Sequence, residues 1–194
     1  MDAYVTGGHA LDSSLDSLFA AADKGDDLAR AQLFSALYGE LHRLARGELR
    51  RHPAAMSLGA TTLLHEAYLD LAGQNSAFPD RGRFFAYAAR AMRGLVIDYI
   101  RERRAIKRGG QFHLTTLNTD VADSVAQAEE MTRLTEALAQ LEQVDPPLAQ
   151  LVDLKYFCGF SFADIAAMRA VSERTVQREW NKARLFLHHL LREE

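Results

Sequence analysis

The chain has 194 residues, of which 48% are hydrophobic and 25% charged. This composition is ordinary for a globular protein of one or two small domains and excludes general disorder. The formal net charge is −3, and no apolar stretch approaches the roughly 18 residues of a membrane-spanning helix. Cys158 is the single cysteine, so an internal disulfide is excluded. The N-terminus lacks the basic and apolar segments of a signal peptide, and we expect a cytoplasmic protein.

Helical periodicity dominates the sequence, and strand patterns are almost absent. The predicted fold class is therefore all-α, with two helical domains at residues 10–108 and 129–192 joined by a flexible acidic linker at residues 109–128. The predicted helices cover, in chain order, residues 13–23, 28–51, 61–72, 83–106, 129–142, 147–157, 162–168 and 173–191.

The third predicted helix begins at two adjacent threonines, Thr61 and Thr62. In the simplest interpretation one of them is the N-cap, which is worth about 1 kcal/mol. The spacing of the leucines that follow predicts one side packed on the core and one side facing outward. The outward-facing residues are Thr62, His65, Glu66 and Leu69.

Positive charge is concentrated between Arg81 and Arg108, where nine basic residues stand against two acidic ones. Guanidinium groups spaced by three and four residues along a helix can follow a phosphate backbone, although a solvated cationic face would show the same spacing. The loop before this helix offers groups able to hold an unstacked base, and an ordinary surface loop fits it equally well. The residues concerned are Arg90, Arg93, Arg101 and Arg104 on the helix, and Asn75, Phe78 and Arg81 in or beside the loop.

Acidic residues gather near the N-terminus and between Asp120 and Asp145. Because they oppose the attraction between the basic segment and phosphates, we expect weak binding to free DNA and a need for a partner. In the free chain the two domains are expected to pack or tumble against each other.

The last third of the sequence predicts two short helices around a tight turn. Ser161 and Asp164 form a capping box for the first helix, and Ser172 is the predicted N-cap of the second. The second helix has one apolar stripe, and the rest of its surface is polar. Such a pair suits the major groove of DNA. The polar positions include Arg174, Thr175, Gln177, Arg178, Asn181 and Lys182.

The order of these segments resembles a known family. The helix LLHEAYLDL, a loop, the segment FFAYAARAMRGLVIDYIRERRAIKRGG, an acidic linker and a helix-turn-helix are similar to the bacterial RNA polymerase sigma factors of the sigma-70 family, extracytoplasmic-function (ECF) group. The resemblance covers residues 12–191. It implies a protein without catalytic activity or cofactor that binds core RNA polymerase and directs it to promoters.

The resemblance also implies roles for the two domains and for particular residues. The first domain would bind polymerase through the outward side of the third helix, and would recognise and melt the minus-ten element. Arg90, Arg93, Arg101 and Arg104 would contact duplex DNA, and Asn75, Phe78 and Arg81 would hold a flipped base. The second domain would read the minus-thirty-five element through Thr175, Gln177, Arg178, Asn181 and Lys182, with Arg174 on a phosphate.

One departure from the family pattern suggests regulation. Many relatives carry acidic residues just before LLHEAYLDL, whereas this chain has Gly59, Ala60, Thr61 and Thr62. Phosphorylation of Thr61 or Thr62 by a Ser/Thr protein kinase would add about −1.5 to −2 charge at a helix N-terminus, which favours an anion. The sequence therefore predicts a kinase as an activating partner, and an anti-sigma factor could coexist with it.

Two other classes of function remain open at this point. A polymerase-independent regulator with a helix-turn-helix would need a dimer interface or an effector pocket, and no leftover apolar helix serves either. An enzyme would need converging titratable residues, and we find no catalytic or metal-binding set. The segment LHEAY begins like a zinc-peptidase motif, but Leu69 stands where the second histidine belongs.

Overall fold

The computed structural model describes residues 6–55, 57–73, 78–109 and 119–192. This part of the chain forms α-helices connected by short turns, and it contains no β-strand, which confirms the all-α class. None of these helices is long and apolar enough to cross a membrane. In chain order they are α1 (Thr6–Asp23), α2 (Asp27–Arg51), α3 (Ala60–Gly73), α4 (Arg81–Gly109), α5 (Thr119–Val144), α6 (Pro146–Val152), α7 (Phe162–Met168) and α8 (Glu173–Leu190).

Two helices begin at least seven residues earlier than the sequence predicted. Helix α5 begins at Thr119 rather than at residue 129, so residues 119–128 of the predicted linker are helical. They read TDVADSVAQA, in which three alanines and one glutamine favour helix but no extended apolar stripe is present. Helix α1 begins at Thr6 rather than at residue 13, although it starts with a Gly-Gly pair. Residues 110–118 of the predicted linker lie outside the described residues.

Helices α1 to α4, which we call the N-terminal half, pack around a common apolar core. Asp26 is the N-cap of α2, and its side chain accepts hydrogen bonds from two backbone N–H groups of the first turn. Leu37 of α2 and Leu64 of α3 are buried in this core. Phe19 of α1 meets Phe84 of α4 edge to face, with ring centroids 5.9 Å apart. This packing fixes α4 in the middle of the molecule.

Helices α5 to α8, which we call the C-terminal half, surround a second group of buried side chains. Asp145 is the N-cap of α6, and α6 continues into one π-helical turn, Asp153–Phe157. The predicted capping box of Ser161 and Asp164 is confirmed, and so is the predicted N-cap Ser172, whose Oγ accepts from the Thr175 N–H at 3.1 Å. The buried side chains include Leu141, Leu151, Ile165, Val176 and Ala183.

The two halves are in contact through α4. Its C-terminal-half neighbours are α5, α6, the π-helical turn and α7, and the buried apolar residues of both halves form one continuous cluster. The face of α4 that carries Arg90 and Arg93 is therefore turned toward the C-terminal half.

Candidate nucleic-acid interface

Two of the four predicted minus-ten arginines lie in the contact between the halves. Met92 and Val96 of α4 are fully buried. Arg93 is only 2% exposed, and its Nη1 donates to Oδ1 of Asp153 at 3.1 Å. Arg90 also pairs with Asp153, with Nε 3.5 Å from Oδ2, and with Glu142 through Nη1. The guanidinium groups that were predicted to bind phosphates are thus bound to carboxylates of the same chain.

Asp153 is a carboxylate buried between two arginines. Burial raises its pKa above the ordinary value, and the nearby Arg93 and Arg90 guanidiniums counteract that rise. Removing Asp153 alone would leave Arg93 as an uncompensated buried cation, which is among the more destabilising changes a protein can undergo.

Phe157, at the end of the π-helical turn, lies within cation–π distance of two guanidiniums. The Cζ atom of Arg93 is 4.1 Å from the ring centroid of Phe157, and the Cζ atom of Arg51 is 5.5 Å from it. Arg51 Nη2 also donates to the backbone oxygens of Tyr156 at 2.7 Å and Phe157 at 3.2 Å. Its Nη1 is 3.0 Å from Oε1 of the buried Glu48. Arg51 therefore fastens the C-terminal half to α2.

Of the other predicted minus-ten arginines, Arg101 is placed differently. The side chain of Arg101 is 57% exposed and pairs with Asp98, with Nη1 3.5 Å from Oδ1. Its position on α4 leaves it accessible to a phosphate. The side chain of Arg104 lies outside the described part of the chain.

The predicted base-holding group needs one correction. Phe78 is only 2% exposed, with its ring packed edge to face against Phe84 and Tyr87 at centroid distances of 5.7 Å and 5.2 Å. It is a core residue in this conformation, because the chain turns inward before α4 and inserts the ring. Arg81 pairs with Glu40, with Nη2 2.6 Å from Oε2. Asn75 lies outside the described residues.

The predicted minus-thirty-five residues lie on an open face of α8. Thr175 is half-buried, and its Oγ1 is 2.8 Å from Oγ of Ser172. The opposite side of α8 is fixed by Val176 in the core and by the ion pair of Arg169 with Glu179 at 2.7 Å. These contacts anchor α8, and its open face presents amide and cationic groups to solvent. The exposed members are Arg174, Gln177, Arg178, Asn181 and Lys182.

The predicted polymerase-binding side of α3 is exposed. Thr62, His65 and Glu66 lie on the surface, and Leu69 is 62% exposed. The prediction that Thr61 or Thr62 is the N-cap of α3 is wrong, because α3 begins at Ala60 and both threonines lie within its first turn. That turn contains no acidic residue.

A surface that the sequence interpretation missed is an apolar groove between α5, the π-helical turn and α8. It encloses about 710 Å³, and Tyr156, Leu185 and Leu191 are exposed large apolar residues along it. Exposed apolar grooves of this kind mark contact surfaces for protein partners. The sequence offered one sign of this groove, because Leu185 is a large apolar residue that lies on α8 outside the buried stripe.

Comparison with known proteins defines the class. Residues 12–193 match the family model described as ECF sigma factor, so the chain belongs to the ECF sigma factor family. It is also 31% identical over 177 residues to the ECF RNA polymerase sigma factor SigM of Mycobacterium tuberculosis, in strain H37Rv and in strain Erdman alike. That match covers 90% of this chain and 83% of the relative.

Proposed function

We propose that this protein acts in the cytoplasm, where it binds core RNA polymerase and directs it to promoters through two DNA-binding surfaces. The observation that carries the proposal is the open face of α8 in a chain of this family. Arg178 and Lys182 lie one turn apart there, and Gln177 and Asn181 accompany them. These are the side chains that pair with base edges and phosphates in a major groove. On this proposal α7 and α8 form the helix-turn-helix that reads the minus-thirty-five element, within a C-terminal domain at residues 129–192.

The second DNA surface is the arginine face of α4, in an N-terminal domain at residues 10–108. Arg90, Arg93, Arg101 and Arg104 recur along one side of that helix, and each can neutralise a phosphate near the minus-ten element. Arg81 and Asn75 precede them and remain candidates for holding an unstacked base.

Polymerase is proposed to bind the outer side of α3. Thr62, His65, Glu66 and Leu69 form a mixed polar and apolar surface there, as in the polar rim and apolar centre of ordinary protein interfaces. The only carboxylate among them is Glu66. This leaves the start of α3 without the negative charge that would attract a basic partner.

We further propose that a Ser/Thr protein kinase supplies this charge. Thr61 and Thr62 are both exposed in the first turn of α3. A phosphate on either would lie beside the free backbone N–H groups of the helix N-terminus and would be stabilised there. It would restore negative charge to the proposed polymerase surface. An anti-sigma factor is compatible with this mode of control.

Run-off transcription with core RNA polymerase and a promoter library tests the function. We expect specific transcripts that depend on both the protein and polymerase. The phosphorylation proposal is tested by comparing the parent with Thr61→Glu and Thr62→Glu, and with Thr61→Val and Thr62→Val as controls that cannot be phosphorylated.

Each outcome of that experiment has a defined meaning. Transcripts only from a glutamate variant or from kinase-treated parent support the switch. Full activity of the untreated parent overturns it. DNA binding without transcription from any form, including kinase-treated protein, would instead favour a polymerase-independent helix-turn-helix regulator.

A further inference from the structure

We propose that the π-helical turn Asp153–Phe157 is an intramolecular latch that occupies the phosphate-binding arginines of α4, so that the closed chain excludes minus-ten DNA. The inference rests on the proposed function, since it assumes that Arg90 and Arg93 bind DNA phosphates. The new element is the set of atoms that hold the two halves together and that compete with DNA phosphates for Arg90 and Arg93.

The latch and a phosphate would use the same donors. Arg93 Nη1 donates to Asp153 Oδ1 at 3.1 Å, and Arg90 Nε lies 3.5 Å from the other oxygen of the same carboxylate. Carboxylates and phosphates both offer oxygens that match the guanidinium fork. Because Arg93 is almost entirely buried, a phosphate cannot reach it unless Asp153 leaves.

The contact is held by more than an ion pair. The guanidiniums of Arg51 and Arg93 both lie close to the ring of Phe157, and Arg51 donates to the backbone oxygens of Tyr156 and Phe157. The thiol of Cys158 donates to the backbone oxygen of Phe85 in α4 at 3.5 Å. A π-helical turn is a rare element that concentrates at functional positions.

The ionic part of the latch is suited to being released. A buried ion pair contributes little net stability, because desolvation of the charges offsets their attraction. Opening returns Arg90, Arg93 and Asp153 to water, where each is well solvated. A partner that binds only the separated halves can then shift the equilibrium by its differential affinity for the open state. Core polymerase, which contacts both halves in the proposed function, fits this role.

The first experiment measures how salt affects binding to a fluorescein-labelled, mixed-sequence DNA duplex. The probe needs no knowledge of the promoter, because phosphate contacts are independent of sequence. In Asp153→Asn, Arg90 and Arg93 become available, so we expect affinity to rise about tenfold as the open fraction rises. The slope of log K against log salt should steepen by about 1.8, from two further phosphate contacts on duplex DNA.

A matched control separates the latch from the change in charge. Glu136→Gln removes one negative charge from an exposed position on α5, in the same half of the molecule. We expect its affinity and slope to stay at the parental values. If Asp153→Asn and Glu136→Gln behave alike, the latch proposal is wrong.

The second experiment measures opening directly, without DNA. Cys158 is the single cysteine, so N-ethylmaleimide labels one site. Burial raises the pKa of its thiol well above the ordinary value, and opening would remove that protection. We expect labelling of Asp153→Asn to be about tenfold faster than that of the parent, in proportion to the open population. Equal rates in the two proteins would overturn the proposal.

A second variant keeps the proposal testable if Asp153→Asn misfolds. If far-UV circular dichroism shows that Asp153→Asn has lost helix, Glu142→Gln takes its place, because Glu142 lies half-exposed at the edge of the same network. Its expected slope change is about half as large, about 0.9, because Nη1 of Arg90 loses its carboxylate partner and only the 3.5 Å contact of Nε with Asp153 remains. An unchanged slope in a folded Glu142→Gln then counts against the latch.

Failure of the latch and failure of the proposed function give different results. Run-off transcription by the parent, together with parental slopes and labelling rates in the variants, would overturn the latch alone. Faster labelling and steeper slopes in a protein that never supports transcription would keep the intramolecular contact and overturn the sigma function.

Discussion

Ala170 lies in the turn between α7 and α8 with φ of +51°, the one non-glycine residue with positive φ in the described part of the chain. The turn has to reverse direction sharply there to bring α8 against α7. Ala170 N–H donates to the Ala167 oxygen at 3.3 Å, and Val171 N–H donates to the Ala166 oxygen at 3.1 Å. Glycine would keep both bonds, since they involve only the backbone.

The expected effect of Ala170→Gly follows from two opposing terms. The left-handed conformation costs an L-residue about 1–2 kcal/mol, which glycine avoids. Glycine loses more conformational freedom on folding, which costs about 0.4–1 kcal/mol. The side chain of Ala170 is exposed, so no packing is lost. We expect a net gain of about 0.5–1 kcal/mol in the free energy of unfolding, because the first term is the larger.

Urea unfolding provides the assay, followed by far-UV circular dichroism and by fluorescence. Trp180 is the only tryptophan, and its ring lies 6.3 Å from that of Phe162, so its fluorescence reports on the α7–α8 packing. Ala139→Gly is the matched control, at an exposed position within α5, where we expect a loss of about 1 kcal/mol. A loss of stability in Ala170→Gly would refute the assignment of strain to this residue.

Three further predictions address other parts of the molecule. Hydrogen bonds from Ser161 lower the pKa of Asp164. The contribution of this carboxylate to stability is therefore present above the unfolded pKa of about 3.9 and is lost as pH falls through the lower folded value. Acid titration of the Trp180 fluorescence should show this loss, and Asp164→Asn should flatten it. Leu64→Ala, at a fully buried core position, should cost about 2–5 kcal/mol in urea unfolding, and a loss below 1 kcal/mol, far under that range, would contradict the described packing. Arg101→Ala should lower promoter opening in a permanganate footprint while polymerase binding in a pull-down stays intact; loss of both would contradict a role confined to DNA.

The features that were predicted correctly are those set by neighbours in sequence. The caps Ser161 and Ser172 bond to residues three positions away, so a local pattern is sufficient to find them. The buried stripe of α8 follows in the same way from helical spacing. The start of α5 was missed because its first ten residues lack the extended apolar stripe that periodicity detects, and Thr, Asp, Val and Ser make up six of them.

The contact between the halves could not be predicted, because its partners are distant in sequence. Arg93 and Asp153 are sixty positions apart, and helical spacing alone makes Arg93 a surface residue. One local signal was available. Asp153 interrupts the run LAQLVDLKYF between Val152 and Leu154, both buried, and an acidic residue at a core position requires a partner. The burial of Phe78 was also not predicted, because an aromatic residue in a polar loop can lie either in the core or on the surface.

The continuous apolar cluster across the two halves has a consequence for the protein before it meets a partner. Separated halves would present Phe85, Phe157 and Phe160 to water, and exposed aromatic surface of this kind promotes aggregation. The closed form covers these rings with the chain's own residues. On the latch proposal, a partner that opens this form therefore has to shield the same rings as the halves separate.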